Sequence, residues 1–256
     1  MSSKGTETEV IFNNRGKNYS KYRPSYPSRI IEFLNEEIGL NKEGVVADIG
    51  SGTGICTKMF LDNGNTVYGI EPNKEMRQEA EWFLKSYKNF YSIDGSSEDT
   101  KLKPESVDVI TVAQAFHWFR PEPTKQEFLR ILKQNSSIVL MWNIRKSKSY
   151  GFMRAYIDII RKYREESNIK SDENVIPKFF DNKKVCEKVF SNLQEYDFER
   201  LKGELISYSY IPNKGDSRYN MMLSELENLF EKYNDDGKVI LEYETRLYYC
   251  RMKQKI

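Results

Sequence analysis

Short apolar runs alternate with helical patterns between residues 29 and 143. Runs rich in β-branched and aromatic residues predict strands at 45–50, 66–71, 89–94, 107–115 and 136–143. The segments between them carry apolar residues at helical spacing, as at Ile30 and Leu34. Repeated strand–helix units of this length predict a parallel sheet with helices on both faces. We expect the apolar pair Trp82 and Phe83 to lie in its core.

The pattern changes after residue 143. Residues 144–190 are charged and helical in pattern, which predicts a helical cap over the carboxyl edge of the sheet. Two later segments, NLQEYDFERL and VILEYETRLYYCRM, alternate as antiparallel strands do, with a helix between them. We therefore predict a doubly wound α/β fold with seven strands, five of them parallel and two late ones forming an antiparallel edge. The expected segments are an N-terminal lid at 1–28, the core at 29–143, the cap at 144–190 and a sheet-completing part at 191–256.

Composition narrows the class of protein. Charged residues make up 30% and apolar residues 39% of the 256 positions, and the net charge is +2. These values indicate a soluble globular protein without the basic excess of a dedicated nucleic-acid binder. No apolar run approaches a membrane span, and MSSKGTETEV lacks the apolar stretch of a secretory signal. Cys56, Cys186 and Cys250 are far apart, so we expect no metal site and a cytoplasmic location.

Three glycines at alternate positions follow the first strand, in VVADIGSGTG. Gly50, Gly52 and Gly54 precede a predicted helix, where a turn can bring backbone N–H groups close to a ligand. The spacing is G-x-G-x-G, whereas a dinucleotide turn is G-x-G-x-x-G, and the phosphate-binding G-x-x-x-x-G-K-[ST] is absent.

An acidic residue ends the second strand. Glu71 stands 17 positions after Gly54, where a carboxylate can accept hydrogen bonds from both hydroxyls of a ribose. The glycine turn and this acid together predict an adenosine-type ligand that need not carry phosphates.

These motifs resemble a known family. VVADIGSGTG with VYGIEPN is similar to motif I and the following acidic motif of class I S-adenosylmethionine-dependent methyltransferases. YSIDGSSED, SVDVITVAQAFHWF and NYSKYRPSYP extend the similarity to the methyltransferase type 11 branch, which includes trans-aconitate methyltransferase-like proteins. The resemblance implies a Rossmann-like fold, S-adenosylmethionine as cofactor and methyl transfer as the activity.

The resemblance also implies which residues bind the cofactor. Asp48 and the glycine turn would line its methionine and ribose part, and the end of the fourth strand would lie beside its sulfonium. Three residues after the second strand would flank its adenine, and two serines after the third strand would contact the adenine edge. The implied positions are Asp48, Gly50, Ser51, Gly52, Gly54, Glu71, Pro72, Asn73, Met76, Ser96, Ser97, Gln114 and Ala115.

His117 is the candidate catalytic residue. It is the only histidine, and it directly follows the fourth strand at the edge where open α/β sheets bind ligands. It could act as a general base or hydrogen-bond donor, or it could be a structural residue packed beside Trp118 and Phe119. A carboxylate acceptor would need no base.

Two motifs that the sequence lacks limit which class of molecule could accept the methyl group. QAFHWF stands where amino-directed nucleic-acid methyltransferases carry [ND]-P-P-[YF] and base C5 enzymes carry Pro-Cys. This favours a small molecule, and the basic excess of residues 145–170 would suit an anionic one. The further candidates for substrate contacts are Trp118, Trp142, Asn143 and Tyr208, the last of which could instead be a strand tyrosine packed in the sheet.

Residues 15–29 hold five basic side chains, no acid and interleaved tyrosines. The segment could be a lid in which Tyr19, Arg23 and Tyr26 close over the substrate, with Arg23 clamping a carboxylate. It could also contact nucleic acid, or be a solvated basic arm.

We therefore expect a methyltransferase, monomeric or homodimeric, that acts on a small molecule, for which a carboxylic acid is one candidate. A non-catalytic S-adenosylmethionine-binding module and an RNA methyltransferase are the alternatives. The glycine spacing opposes a third, an NAD-dependent oxidoreductase.

Overall fold

The computed structural model describes residues 22–146, 150–165, 175–181 and 183–252. They cluster into two compact units. The core unit contains the described residues of 26–143, 171–190 and 245–256, and the helical unit contains those of 1–25, 144–170 and 191–244. This division differs from the segments expected from the sequence, because 191–244 groups with 144–170 whereas 171–190 groups with the core. Tyr19 lies outside the described residues.

A seven-stranded sheet forms from the described residues, in the order β3-β2-β1-β4-β5-β7-β6. Strands β1 to β5 pair in parallel, and the two late strands form the antiparallel edge, which confirms the predicted mixed sheet. The strands are β1 Val45–Ile49, β2 Thr66–Ile70, β3 Phe90–Ile93, β4 Val107–Ala113, β5 Leu132–Arg145, β6 Cys186–Tyr196 and β7 Val239–Arg251.

The helices begin and end where local chemistry favours it. The α-helices are α1 Arg29–Ile38, α2 Ile55–Asn63, α3 Lys74–Phe83, α4 Pro121–Ile131, α5 Gly151–Tyr163, α6 Val175–Phe179, α7 Phe198–Ile206 and α8 Tyr219–Tyr233, and Phe116–Trp118 is a 3₁₀ turn. Gly39 ends α1 in the left-handed conformation, and the Asn73 side chain caps α3 by accepting from the Met76 N–H at 3.0 Å.

Both faces of the parallel sheet are covered, which explains why its strands are almost continuously apolar. On β1, Val46 joins a buried cluster with residues of α1 and α2, whereas Ala47 and Ile49 join a cluster with residues of α4. The expectation for Trp82 is wrong, since this side chain is 66% exposed. The buried stripe of α3 runs through Met76 and Ala80 instead.

The helical unit has a core of its own. Buried side chains from α5, α7 and α8 pack together, among them Tyr156, Leu201 and Leu226. Across the described ranges, no helix has both the length and the apolar character that crossing a membrane requires.

Candidate active site

The three glycines after β1 have different physical roles. Gly50, Gly52 and Gly54 all have positive φ, at 69°, 55° and 85°, which side-chain-bearing residues rarely adopt. A Cβ on Gly50 would lie 2.6 Å from the Ala115 Cβ, and one on Gly54 would lie 2.7 Å from a Leu84 methyl carbon. A Cβ on Gly52 would have no heavy atom within 4 Å. Two glycines therefore permit close packing, and the middle one leaves open space beside its backbone.

Glu71 is joined to this turn by hydrogen bonds. Its Oε2 accepts from the Gly52 N–H at 3.0 Å, and its Oε1 accepts from the Asn73 N–H at 2.9 Å. Burial raises the pKa of Glu71, while these two bonds and the charge of Arg77 oppose the rise. A carboxylate has about four acceptor positions, so each oxygen can still accept from a ribose hydroxyl. The remaining acceptor positions of Glu71 therefore fit the sugar hydroxyls of an adenosine-type ligand.

Asp48 lies beneath the turn, fully buried on β1. Its Oδ2 accepts from the Thr57 hydroxyl at 2.6 Å, whereas its Oδ1 has no partner within the described part of the chain. Burial raises the pKa of this carboxyl to about 7. The hydroxyl of buried Thr53, in the same turn, also lacks a partner among the described residues. Unsatisfied polar atoms at a glycine turn are what a site for a polar ligand requires.

The positions assigned to adenine follow β2 and β3. Met76 is buried on α3 and Pro72 lies between Glu71 and the capping residue Asn73. Ser96 accepts a 3.3 Å hydrogen bond from the Glu98 N–H, and Ser97 is buried with its hydroxyl accepting from Thr124 at 2.9 Å. Both serine hydroxyls thus already stabilise the loop after β3.

The end of β4 meets the glycine turn. Gln114 has a φ of 60°, an uncommon conformation for a residue with a side chain and one that concentrates at functional sites. Its N–H donates to the Met141 carbonyl at 2.9 Å, and its side-chain amide donates to the Asn143 carbonyl at 3.3 Å. Because β1, β4 and β5 are parallel neighbours, their carboxyl ends reach the same edge. Gln114 and Ala115 therefore lie next to Gly50.

His117 and Trp118 follow directly, in the 3₁₀ turn. Both are exposed, and their ring centroids are 4.8 Å apart. His117 makes no hydrogen bond with any described residue. Crowding by neighbouring groups nevertheless desolvates its imidazole and lowers its pKa, so the neutral form dominates at pH 7.

The remaining candidates for substrate contacts in the core unit are held by packing and by a hydrogen bond. Trp142 forms edge-on contacts with Phe116 and Tyr248, and it is only partly buried. The Asn143 Oδ1 accepts from the Thr245 hydroxyl at 2.5 Å. Tyr26 is partly buried against the α1 side of the sheet.

Arg23 and Tyr208 lie together in the helical unit. The Arg23 guanidinium stacks on one side of the Tyr208 ring, 4.0 Å from its centroid, and donates to the Ser207 carbonyl at 3.2 Å. Tyr208 is buried in a turn after α7, so it is not the strand tyrosine that one interpretation expected. Its hydroxyl donates to the Glu204 carboxylate.

Sequence reasoning missed Glu204. This fully buried carboxylate accepts from the hydroxyls of Tyr156, Tyr208 and Tyr243, and it pairs with Arg145 at 3.3 Å. A signal was available, since Glu204 lies on the apolar stripe of α7, three residues after Leu201. An acid on such a stripe must find buried partners.

The family profile and the curated relatives both indicate a methyltransferase. The profile of a methyltransferase domain family matches residues 47–140. An uncharacterized methyltransferase of Schizosaccharomyces pombe is 26% identical over 216 residues, covering 83% of this chain and 84% of the relative. An uncharacterized methyltransferase of a Geobacillus species is 33% identical over 144 residues, covering 53% of this chain and 67% of the relative. The solved structure of a putative type II methyltransferase from Anaeromyxobacter dehalogenans superposes with a TM-score of 0.71 at 18% identity, covering 91% of this chain and 100% of the neighbour, which shows a shared fold.

Proposed function

Because this chain belongs to the class I S-adenosylmethionine-dependent methyltransferases, we propose that it methylates a small molecule that carries a carboxylate. The cofactor, S-adenosylmethionine, supplies a methyl group already activated on a sulfonium. The observation that carries the proposal is the exposed His117–Trp118 pair, which stands one residue after Gln114 and Ala115, just beyond the carboxyl end of β4.

The binding residues of the core unit act mainly by alignment. Glu71 takes the ribose hydroxyls, the backbone at Gly52 leaves room for the ligand, and Gln114 and Ala115 lie beside the reacting end. In-line transfer needs the acceptor atom opposite the leaving group, and correct alignment alone can remove roughly 7–11 kcal/mol of a barrier. No described residue needs to form a covalent bond.

A small acceptor is supported by the surface after β4. This surface is aromatic, and the segment QAFHWF contains neither of the motifs that nucleobase methylation uses. A carboxylate acceptor is compatible with the neutral state of His117. A neutral imidazole has one N–H, which can donate a hydrogen bond to a carboxylate oxygen, and a carboxylate holds no proton that a base must remove. Methylation of a hydroxyl or amine would instead use His117 as the base.

We further propose a reducing compartment such as the cytosol. Cys56, Cys186 and Cys250 are free thiols, and two of them are buried. This pattern is typical of proteins that do not rely on disulfides.

The proposal is tested with methyl-labelled S-adenosylmethionine and a panel of acceptors. The panel holds aliphatic mono-, di- and tricarboxylic acids, the matching amides, small alcohols and amines, and RNA. We expect label in one or more acids, as methyl esters that release labelled methanol in base. Glu71→Ala at subsaturating cofactor is the control, and it should suppress the signal. Label found only in RNA, alcohols or amines would overturn the carboxylate assignment.

A further inference from the structure

The Asp48 carboxyl group is poised to respond to charge. It lies on β1 between Gly69 of β2 and Thr111 of β4, next to the glycine turn, and it is fully buried. Thr57 donates to one of its oxygens, and the other has no partner among the residues that the structure describes. A buried acceptor without a partner is costly, and protonating the carboxyl would lessen that cost.

Among the residues that the structure describes, the groups around Asp48 offer it no cation. The packed elements present Thr57 and Cys56 from α2, Thr111 from β4 and the Glu71 carboxylate after β2. Arg77 of α3 lies beyond Glu71. Its guanidinium donates a hydrogen bond to the Glu71 carbonyl at 2.7 Å and forms a salt bridge with the exposed Asp94 carboxylate at 2.9 Å.

Asp48 therefore titrates near neutrality. Burial is the main reason that its pKa rises to about 7, the nearby charge of Glu71 raises it further, and the hydrogen bond from Thr57 opposes the rise. In the protein without cofactor, the carboxyl is thus partly protonated at pH 7.

We propose that binding of S-adenosylmethionine expels a proton from Asp48 to solvent, so that the bound cofactor faces a carboxylate. This inference rests on the methyltransferase function. The cofactor carries a sulfonium and an ammonium, and a nearby positive charge in a buried site favours the ionised form of an acid.

The proposal fixes how affinity depends on pH. The cofactor binds best to ionised Asp48, so affinity is full above the pKa that Asp48 has in the free protein and falls as pH drops below it. For a group that titrates at about 7, affinity should weaken roughly 15-fold from pH 7 to pH 5.5. The cofactor's own α-ammonium stays protonated in this window.

The proton itself can be counted. Calorimetric titration of the wild-type protein with S-adenosylmethionine at pH 6.5, in two buffers of different ionisation enthalpy, should show release of about 0.8 proton per cofactor bound. Asp48→Asn keeps the side-chain shape and should show no release and a flat affinity profile. Thr57→Val removes the hydrogen bond that favours the carboxylate, so its affinity should begin to fall at a higher pH than in the wild type.

Each outcome decides the proposal. Binding without proton release, or equal release by Asp48→Asn, overturns it, and so does release that is lost in His117→Asn but kept in Asp48→Asn. If Asp48→Asn does not fold by circular dichroism, Thr57→Val decides, because an unshifted profile overturns the proposal. If the wild-type protein does not bind S-adenosylmethionine at all, the methyltransferase function fails together with it.

Discussion

Replacing Gly52 with alanine tests whether the open space at the glycine turn receives the cofactor. Gly52 has a φ of 55°, and a Cβ there would meet no atom within 4 Å. Gly39, at the end of α1, offers a matched control, since its φ is 75° and its Cβ would also meet nothing within 4 Å. Both substitutions place a methyl group on left-handed backbone without a clash, and only one of them does so at the candidate site.

The expected magnitudes follow from this geometry. Left-handed backbone costs a residue with a Cβ about 1–2 kcal/mol, so both variants should lose that much stability. For a chain of this size the loss corresponds to roughly 2–8 °C in Tm. In Gly52→Ala the new methyl group should also crowd the ligand by about 1–3 kcal/mol, which weakens affinity about 5- to 150-fold. Gly39→Ala should bind the cofactor as the wild-type protein does.

A third variant separates packing from binding. In Gly50→Ala the new Cβ would lie 2.6 Å from the Ala115 Cβ, so its stability should fall further than in the other two. Stability is measured by thermal denaturation followed by circular dichroism. Affinity is measured by calorimetric titration with S-adenosylhomocysteine at 25 °C.

Two results would refute the reasoning. Wild-type affinity in Gly52→Ala, with the stability loss of the control, would mean that no ligand approaches this backbone. An equal loss of affinity in Gly39→Ala would mean that general destabilisation, rather than the site, explains the effect.

Three further predictions concern single carboxylates and the histidine. Glu71→Ala should weaken S-adenosylhomocysteine binding by about 1–3 kcal/mol in calorimetry, because two ribose hydroxyls lose a charged acceptor; unchanged affinity would remove Glu71 from the site. With a hydroxyl or amine acceptor, the methylation rate should fall as pH drops through the lowered pKa of His117. The variant His117→Asn should abolish this decrease at low pH. With a carboxylate acceptor, the pH–rate profile of the wild-type protein should show no such decrease. Glu204→Gln should lower the free energy of unfolding by about 3 kcal/mol in urea denaturation, because it leaves the partly buried Arg145 without its countercharge. The surface change Glu225→Gln should have a much smaller effect, and equal losses would contradict the buried network.

The core of the fold was predictable because its signals are local. A parallel strand buried on both faces is apolar along its whole length, and the helices between such strands show their own period within about ten residues. Glycine spacing and the position of Glu71 likewise depend on backbone demands within one strand–turn–helix unit. The pattern therefore predicted both the sheet and the kind of ligand.

Trp82 shows where local pattern is insufficient. Apolar side chains at adjacent helical positions cannot both face one stripe, and the sequence does not say which one the sheet covers. The strands beneath α3 bury the stripe through Met76 and Ala80, and the Trp82 side chain therefore remains mostly exposed to solvent.

Long-range contacts decided the rest. The sequence alone predicted that three glycines and an acid form a ligand turn. Only the tertiary structure shows that Gly50 and Gly54 pack closely against Ala115 and Leu84, whereas Gly52 leaves open space. Glu204 finds Tyr156 and Tyr243 at separations of 48 and 39 residues, and Asp48 owes its raised pKa to burial. Burial and partner choice are properties of the packed chain, because they depend on which distant segments exclude water from a side chain.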